Sequence, residues 1–279
     1  MDKELWDAFI LKKDHEEAVR LLRLQDPNVL YQNEPDLLHH SISNGWLDVT
    51  RDLINNYHFN PHQYYRREPC LFTAAEGNHI DIVEYLIKEC GCNPMMPAAE
   101  HGNVPVLHEV ASQGLLDVLK CIVMNIDGHI MDKQYQDIYG QSVLYRAVKH
   151  IDVLKYLVNR HCCDITIRDE YGKTLLHHAV EHIDVVKYLI KDCNCNVMVT
   201  DKDGQTPLHY AASKSLVEVI EYLLSTGNCD PLGRDKSGYT PLQLAKGRQN
   251  SDAVIAIFKK FGNIKISHPI DSYSVMWMR

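Results

Sequence analysis

Eight leucines recur along this chain at nearly even intervals: Leu5, Leu38, Leu71, Leu107, Leu144, Leu176, Leu208 and Leu242. The spacings are 33, 33, 36, 37, 32, 32 and 34 residues. Ten residues after most anchors stands an acid, at Asp48, Asp81, Asp117, Glu218 and Asp252. Fifteen and sixteen residues after them comes an apolar pair: Leu53-Ile54, Leu86-Ile87, Ile122-Val123, Leu223-Leu224 and Ile257-Phe258. Landmarks held in register this often exclude a single compact globule and predict an array of stacked units. No Pro/Gly/Ser-rich linker interrupts the series, so the chain reads as one elongated domain.

The unit around Leu208 is the clearest. Thr206 is an N-cap candidate and Pro207 fits the first helical position, where a missing N–H costs nothing. Leu208, Ala211 and Ala212 give a short helix with a narrow apolar face. Val219, Ile220, Leu223 and Leu224 recur at helical spacing and give a second helix. Asn228-Cys229-Asp230-Pro231 ends it, and Asp235-Lys236-Ser237-Gly238 reads as a tight turn. A helix pair this small cannot bury its own apolar side and is stable only when stacked on neighbours.

The segments Asp201 to Ala212, Asp235 to Leu242 and Glu170 to Ala179 resemble the ankyrin repeat. The resemblance covers roughly residues 4 to 262 and is most specific from Asp137 onward. The first unit, Leu5 to Leu24, lacks the turn motif and reads as an N-terminal cap. The implied fold is all-α, an ankyrin-repeat solenoid of helix-turn-helix units with hairpin-like fingers. The expected organisation is a repeat domain over 1-262 and a tail over 263-279. The tail leaves the pattern; it either docks on the last unit or is the remnant of a longer protein's next domain.

The repeat absorbs most residues that suggest chemistry. His39, His108, His177 and His209 each follow an anchor leucine, where the resemblance implies a hydrogen bond between neighbouring turns. His79, His150 and His182 stand two residues before the second-helix acid and are another repeat landmark. His178 and His182 have i,i+4 spacing, but the pair crosses the connection between helices, and no metal site is expected. Cys92, Cys163, Cys195 and Cys229 each precede Asn or Asp after a second helix, where the resemblance implies a small buried residue. The C-x-C pairs Cys90/Cys92 and Cys193/Cys195 lack the C-x2-C spacing of zinc sites. Nine cysteines without a secretion-type N-terminus read as free thiols. There is no G-x-S-x-G, H-E-x-x-H, G-x-x-x-x-G-K-[ST] or G-x-G-x-x-G. The recurring acids sit at helix starts, where a carboxylate meets the positive end of the dipole. No catalytic residue and no cofactor are expected. Asparagine hydroxylation, a modification linked to the family, is not supported either, because Thr166, Met198 and Leu232 hold the acceptor position.

Four units depart from the pattern. From Leu144 to Asp152 and from Leu176 to Asp184 there are eight residues, not ten, which predicts a tightened or partly merged turn at 149-151 and 181-183. A deletion harmless to the fold is the alternative. Elsewhere the link carries a glycine in a left-handed cap, with Asn78 and Ser215 in its place in two units. Excess residues precede Leu107 (Met95 to Gly102) and Leu144 (Asn125 to Asp132), and both map to the inter-repeat loop.

The resemblance implies a non-enzymatic scaffold or adaptor that binds a protein partner through a concave groove. The alternative is the targeting or regulatory portion of a larger multidomain signalling protein or enzyme. The positions left beside the fixed turn residues are Ile138, Tyr139, Gln141, Arg146 and Lys149, then Arg168, Glu170, Tyr171, Lys173, His178 and Glu181. Lys202, Asp203, Gln205, Tyr210 and Ser213 follow, then Arg234, Lys236 and Tyr239. Tyrosine and arginine are common interface anchors, although turn tyrosines can equally serve to cover neighbouring turns. A net charge of -8 and mixed signs along this row argue against nucleic acid. The longest apolar run, Ala253 to Phe258, is too short for a membrane span. The expected state is an intracellular monomer, in the cytoplasm or the nucleus.

Overall fold

The computed structural model describes residues 3–27, 30, 36–65, 68–98, 104–125, 141–161, 164–245 and 251–262. The chain divides into two compact units, Met1–Glu170 and Tyr171–Arg279.

In the first unit, α1 (Lys3–Trp6) runs into a π-helical turn (Asp7–Leu11), and α2 (His15–Leu22) begins at Asp14, whose carboxylate accepts the Glu17 N–H at 3.1 Å. Four helix pairs follow. They are α3 (Leu37–Ser43) with α4 (Leu47–Asn55), and α5 (Cys70–Glu76) with α6 (Ile80–Lys88). Next come α7 (Val106–Gln113) with α8 (Leu116–Met124), and α9 (Val143–Arg146) with α10 (Ile151–His161). The first helices stack in one row, α3 on α5 on α7 on α9, and the second helices in another, α4 on α6 on α8 on α10. The core lies between the rows. Every anchor leucine from Leu5 to Leu144 is buried, as are Val49, Ile82, Leu86, Val118 and Ile122 on the facing sides of the second helices.

Two short antiparallel hairpins stand between pairs. β1 (Tyr64–Tyr65) pairs with β2 (Glu68–Pro69), and β3 (Pro97–Ala98) pairs with β4 (Val104–Pro105). The excess before Leu107 is therefore a hairpin finger, whose tip at 99–103 lies outside the described residues. The excess before Leu144 lies outside them too, apart from Asn125.

The second unit contains α11 (Leu175–His178) with α12 (Ile183–Lys191), α13 (Pro207–Ser213) with α14 (Val217–Ser225), and α15 (Pro241–Ala245) with α16 (Ser251–Gly262). The same two rows form, α11 on α13 on α15 and α12 on α14 on α16. Thr206 caps α13 from an extended backbone and Pro207 opens the helix, as the sequence predicts. The tail lies outside the described residues.

The link between paired helices takes two forms. In the full-length units one residue is left-handed: Gly45 (φ 75), Asn78 (φ 56), Gly114 (φ 75) and Ser215 (φ 55). The next residue, Trp46, His79, Leu115 or Leu216, is the N-cap of the second helix. In the two short units the left-handed residue is gone. The first helix tightens into a 3-10 turn, Ala147–Lys149 or Ala179–Glu181, and passes straight to an extended His150 or His182. The predicted tightened turn is what the chain adopts, because a 3-10 turn advances farther per residue than an α-turn and reaches the second helix with less chain.

Ser215 combines two costs. It is a non-glycine residue in the left-handed region, and its hydroxyl is buried with no hydrogen-bond partner among the described residues. Ser215→Gly is expected to stabilise the protein by about 1 kcal/mol. A higher thermal midpoint in calorimetry would bear this out, and an unchanged or lower one would contradict it.

Candidate protein-interaction face

The second unit shows how each turn is held. Asp201 and Asp235 are buried, and each uses one carboxylate oxygen to close its own turn. Asp201 Oδ1 accepts the N–H groups of Asp203 (2.9 Å) and Gln205 (2.8 Å), and Asp235 Oδ1 accepts those of Ser237 (3.0 Å) and Tyr239 (2.9 Å). Consecutive tips are joined by backbone bonds, Lys202 N–H to Tyr171 O at 3.0 Å and Lys236 N–H to Asp203 O at 2.9 Å. The approach is close enough to require glycine in the turn. A Cβ on Gly204, which sits at φ +78, would stand 3.1 Å from the backbone nitrogen of Lys236. The sequence reading fixed the turn at Asp235-Gly238 but overlooked the part its first carboxylate plays. The recurrence of Asp-x-x-Gly at 201–204 and 235–238 was the available signal.

In several repeats the residue after the anchor leucine reaches forward to the next turn. His177 Nδ1 accepts the Thr174 N–H at 3.1 Å, so Nε2 carries the proton and donates to Gln205 O at 3.0 Å. His209 repeats this, with Thr206 N–H at 3.2 Å and Tyr239 O at 3.3 Å. Burial holds the His209 pKa below its ordinary value, which keeps the ring in this neutral form. In the fifth repeat Tyr145 takes the place of the histidine, and its hydroxyl donates to Ile167 O at 2.5 Å. In the eighth, Gln243 exchanges cap bonds with Thr240, accepting its N–H at 2.9 Å and donating its own to the hydroxyl at 3.3 Å. His39 keeps the forward contact, a hydrogen bond with the Glu68 backbone; its Nε2 also lies 3.5 Å from Cys70 Sγ, and its ring packs 5.2 Å from that of Tyr65.

The histidines before the second helices reach backward. His79 Nε2 donates to Ser43 O at 3.2 Å and His150 Nε2 to Ser112 O at 2.9 Å. The second-helix acids stand in the first helical turn and are not side-chain caps. Asp117 pairs with Lys120 at 2.9 Å, and Asp48 accepts from His15 at 2.9 Å.

Among the described residues no three His, Cys, Asp or Glu side chains converge on a common point suited to a metal ion. Burial pushes the thiols of Cys195 and Cys229 up to about 11 and that of Cys92 to about 12, so these cysteines are poor nucleophiles. Cys163 lies outside the described residues. An open recess between α2 and α4 is lined by Arg23, Arg51, Asp48, Asp52, Asn55 and Tyr57 together with apolar side chains, and no serine, cysteine or histidine lines it.

The expected interface residues fall into two groups. Several belong to the scaffold. The Tyr210 hydroxyl donates to Asp201 Oδ2 at 2.8 Å, and Gln205 Nε2 donates to Asp235 Oδ2 at 3.1 Å. Ser213 Oγ donates to Tyr210 O at 2.9 Å, and Glu181 forms an ion pair with Lys214. The sequence reading took these positions as left free by the fold; each makes a polar bond within it. The others stand outward. Tyr171 and Tyr239 are 55% and 47% exposed, and Lys202, Asp203, Arg234 and Lys236 are exposed beside them. Lys173 lies 5.4 Å from the Tyr171 ring centroid and 5.0 Å from that of Tyr210, within cation–π range of both. His178 is half-buried on α11. In the first unit Lys149, Arg168 and Glu170 are exposed and Gln141 and Arg146 half-buried, while Ile138 and Tyr139 lie outside the described residues.

Stacked helix pairs with aspartate-closed turns and turn-bridging histidines are matched by the family described as ankyrin repeats (3 copies), over residues 7–98, 107–201 and 185–268. The chain belongs to the ankyrin repeat family. Among solved structures it is similar to the ankyrin repeat domain of Bcl-3, described as a unique member of the IkappaB protein family. That likeness has a TM-score of 0.64 at 23% identity and covers 78% of this chain and 97% of the other, and it bears on the fold alone. No curated protein sequence matches the chain. Ankyrin repeat domains are generally protein-interaction modules. Among the described residues no helix is long and apolar enough to cross a membrane.

His39 makes stability depend on pH. Burial, with a smaller contribution from neighbouring His40, lowers its pKa from 6.5 to about 4. Between these values the unfolded chain binds more protons, so this contribution is complete above about pH 6.5 and declines as pH falls toward 4. The thermal midpoint is expected to drop across that window, and His39→Gln to flatten the drop. Equal slopes for both proteins would remove His39 as the cause.

Proposed function

We propose that this chain is a non-enzymatic adaptor that holds a protein partner against the turn tips of its repeats, with Tyr171 and Tyr239 as anchors. The observation that carries the reading is the contrast between these two rings and their surroundings. They are large, half-exposed side chains on backbone that is already bonded, Tyr171 O to the Lys202 N–H and the Tyr239 N–H to Asp235. A rigid tyrosine presents much area at low entropic cost and keeps a polar handle for the partner.

The test is affinity capture with the intact chain beside a Tyr171→Ala/Tyr239→Ala variant. Loss of interface anchors typically costs about 2 kcal/mol or more each, enough to remove most captured partner. The two rings are outside the core, so thermal midpoints are expected to agree within a few degrees. Identical capture by both proteins would remove these tyrosines from the interface.

A further inference from the structure

The charge of the chain is unevenly shared. Residues 1–170 hold 16 Lys and Arg against 26 Asp and Glu, and residues 171–279 hold 13 against 11. Within the second unit the exposed tips are more cationic than that balance suggests, because the turn acids face inward. Asp201 and Asp235 are buried and spend their oxygens on turn N–H groups, the Tyr210 hydroxyl and the Gln205 amide. Glu181 is paired with Lys214. The acids exposed among the tip positions named above are Asp203 and, next to Tyr171 in sequence, Glu170.

The cations stay at the surface. Lys236 Nζ donates to Lys202 O at 2.5 Å, and Arg234 Nη1 donates to Gly238 O at 2.6 Å. These carbonyl contacts hold both groups at the surface without pairing them with a carboxylate. Neither of them, nor Lys202, makes an ion pair among the described residues. The mixed signs read from the sequence thus become a cationic edge with a tyrosine at Tyr171 and another at Tyr239.

Resting on the adaptor reading above, we infer that the second unit selects an acidic, extended protein segment, whose carboxylates meet Lys202, Arg234 and Lys236 while its side chains pack on Tyr171 and Tyr239. Complementary charge of this kind steers encounter and rejects cationic partners. The interaction weakens as salt screens it.

The full-length chain is titrated into three fluorescein-labelled peptides of equal length: one alternating Glu and Asp with Gly, Ser and a central Tyr, one with every acid changed to Gln or Asn, and one with every acid changed to Lys. Anisotropy at low salt is expected to give at least about tenfold tighter binding of the acidic peptide than of the neutral one. That preference should shrink toward unity by about 0.3 M salt. Lys202→Glu/Lys236→Glu should abolish the preference. Lys202→Glu alone, which leaves the Lys236 contact to the Lys202 carbonyl available, should reduce it with an unchanged thermal midpoint. Equal affinity for the three peptides, or none for any, overturns the acidic selectivity and leaves the adaptor reading to the tyrosine capture experiment. Tighter binding of a single-stranded oligonucleotide than of the acidic peptide overturns it in favour of a nucleic acid. Self-association of the chain that is lost in Lys202→Glu/Lys236→Glu overturns it in favour of a second copy.

Discussion

A helix of seven or eight residues is marginal in water, because the cost of nucleating it is barely recovered over two turns. The helices α3, α5, α7 and α13 are all of that length. Each exists because a neighbour covers its apolar side. That dependence explains why the anchor leucines are buried without exception in both units, and why small residues such as Ala74, Ala111 and Ala211 stand where first helices meet. It also explains why the turn aspartates Asp201 and Asp235 and the bridging histidines His177 and His209 have defined partners. Once two turns are brought together, an unpaired carbonyl between them would be costly, and histidine, tyrosine and aspartate are placed to meet it.

Much of this was legible in the sequence. The leucine register located the first helices, and the missing residues before Asp152 and Asp184 located the tightened links. Asn78 and Ser215 were identified as stand-ins for glycine, and both are left-handed. The reading fell short on side chains whose partners are supplied by the fold. Tyr210 and Gln205 looked free from their place in the pattern. Tyr210 bonds the carboxylate that opens its own turn, nine residues back, and Gln205 bonds that of the next turn, thirty residues on, which arrives only with stacking. The acids of the second helices were placed in the right turn but lie inside the helix, where they act on its dipole and on nearby cations.

Scaffold and interface are therefore hard to separate by residue type. Tyr210 stands on α13 and Tyr239 in the turn before α15; the first bonds an aspartate and the second is exposed. Asp201 and Asp203 stand two residues apart, one buried and closing the turn, the other outward. What distinguishes them is direction, set by the left-handed glycine at the end of each turn. Charge follows the same rule, since the acids turned inward are withheld from direct contact with a partner while the lysines turned outward are presented to it.

The histidine bonds between repeats also have a direction. In the first unit those of His79 and His150 run toward lower residue numbers, to Ser43 and Ser112, and in the second unit those of His177 and His209 run toward higher ones, to Gln205 and Tyr239. Fraying of the earliest repeats would strand the ring of His79, and fraying of the last turn would strand that of His209. Melting from either terminus therefore meets a latch whose release leaves an imidazole without its acceptor, which ties the outermost repeats to the cooperativity of the units they belong to.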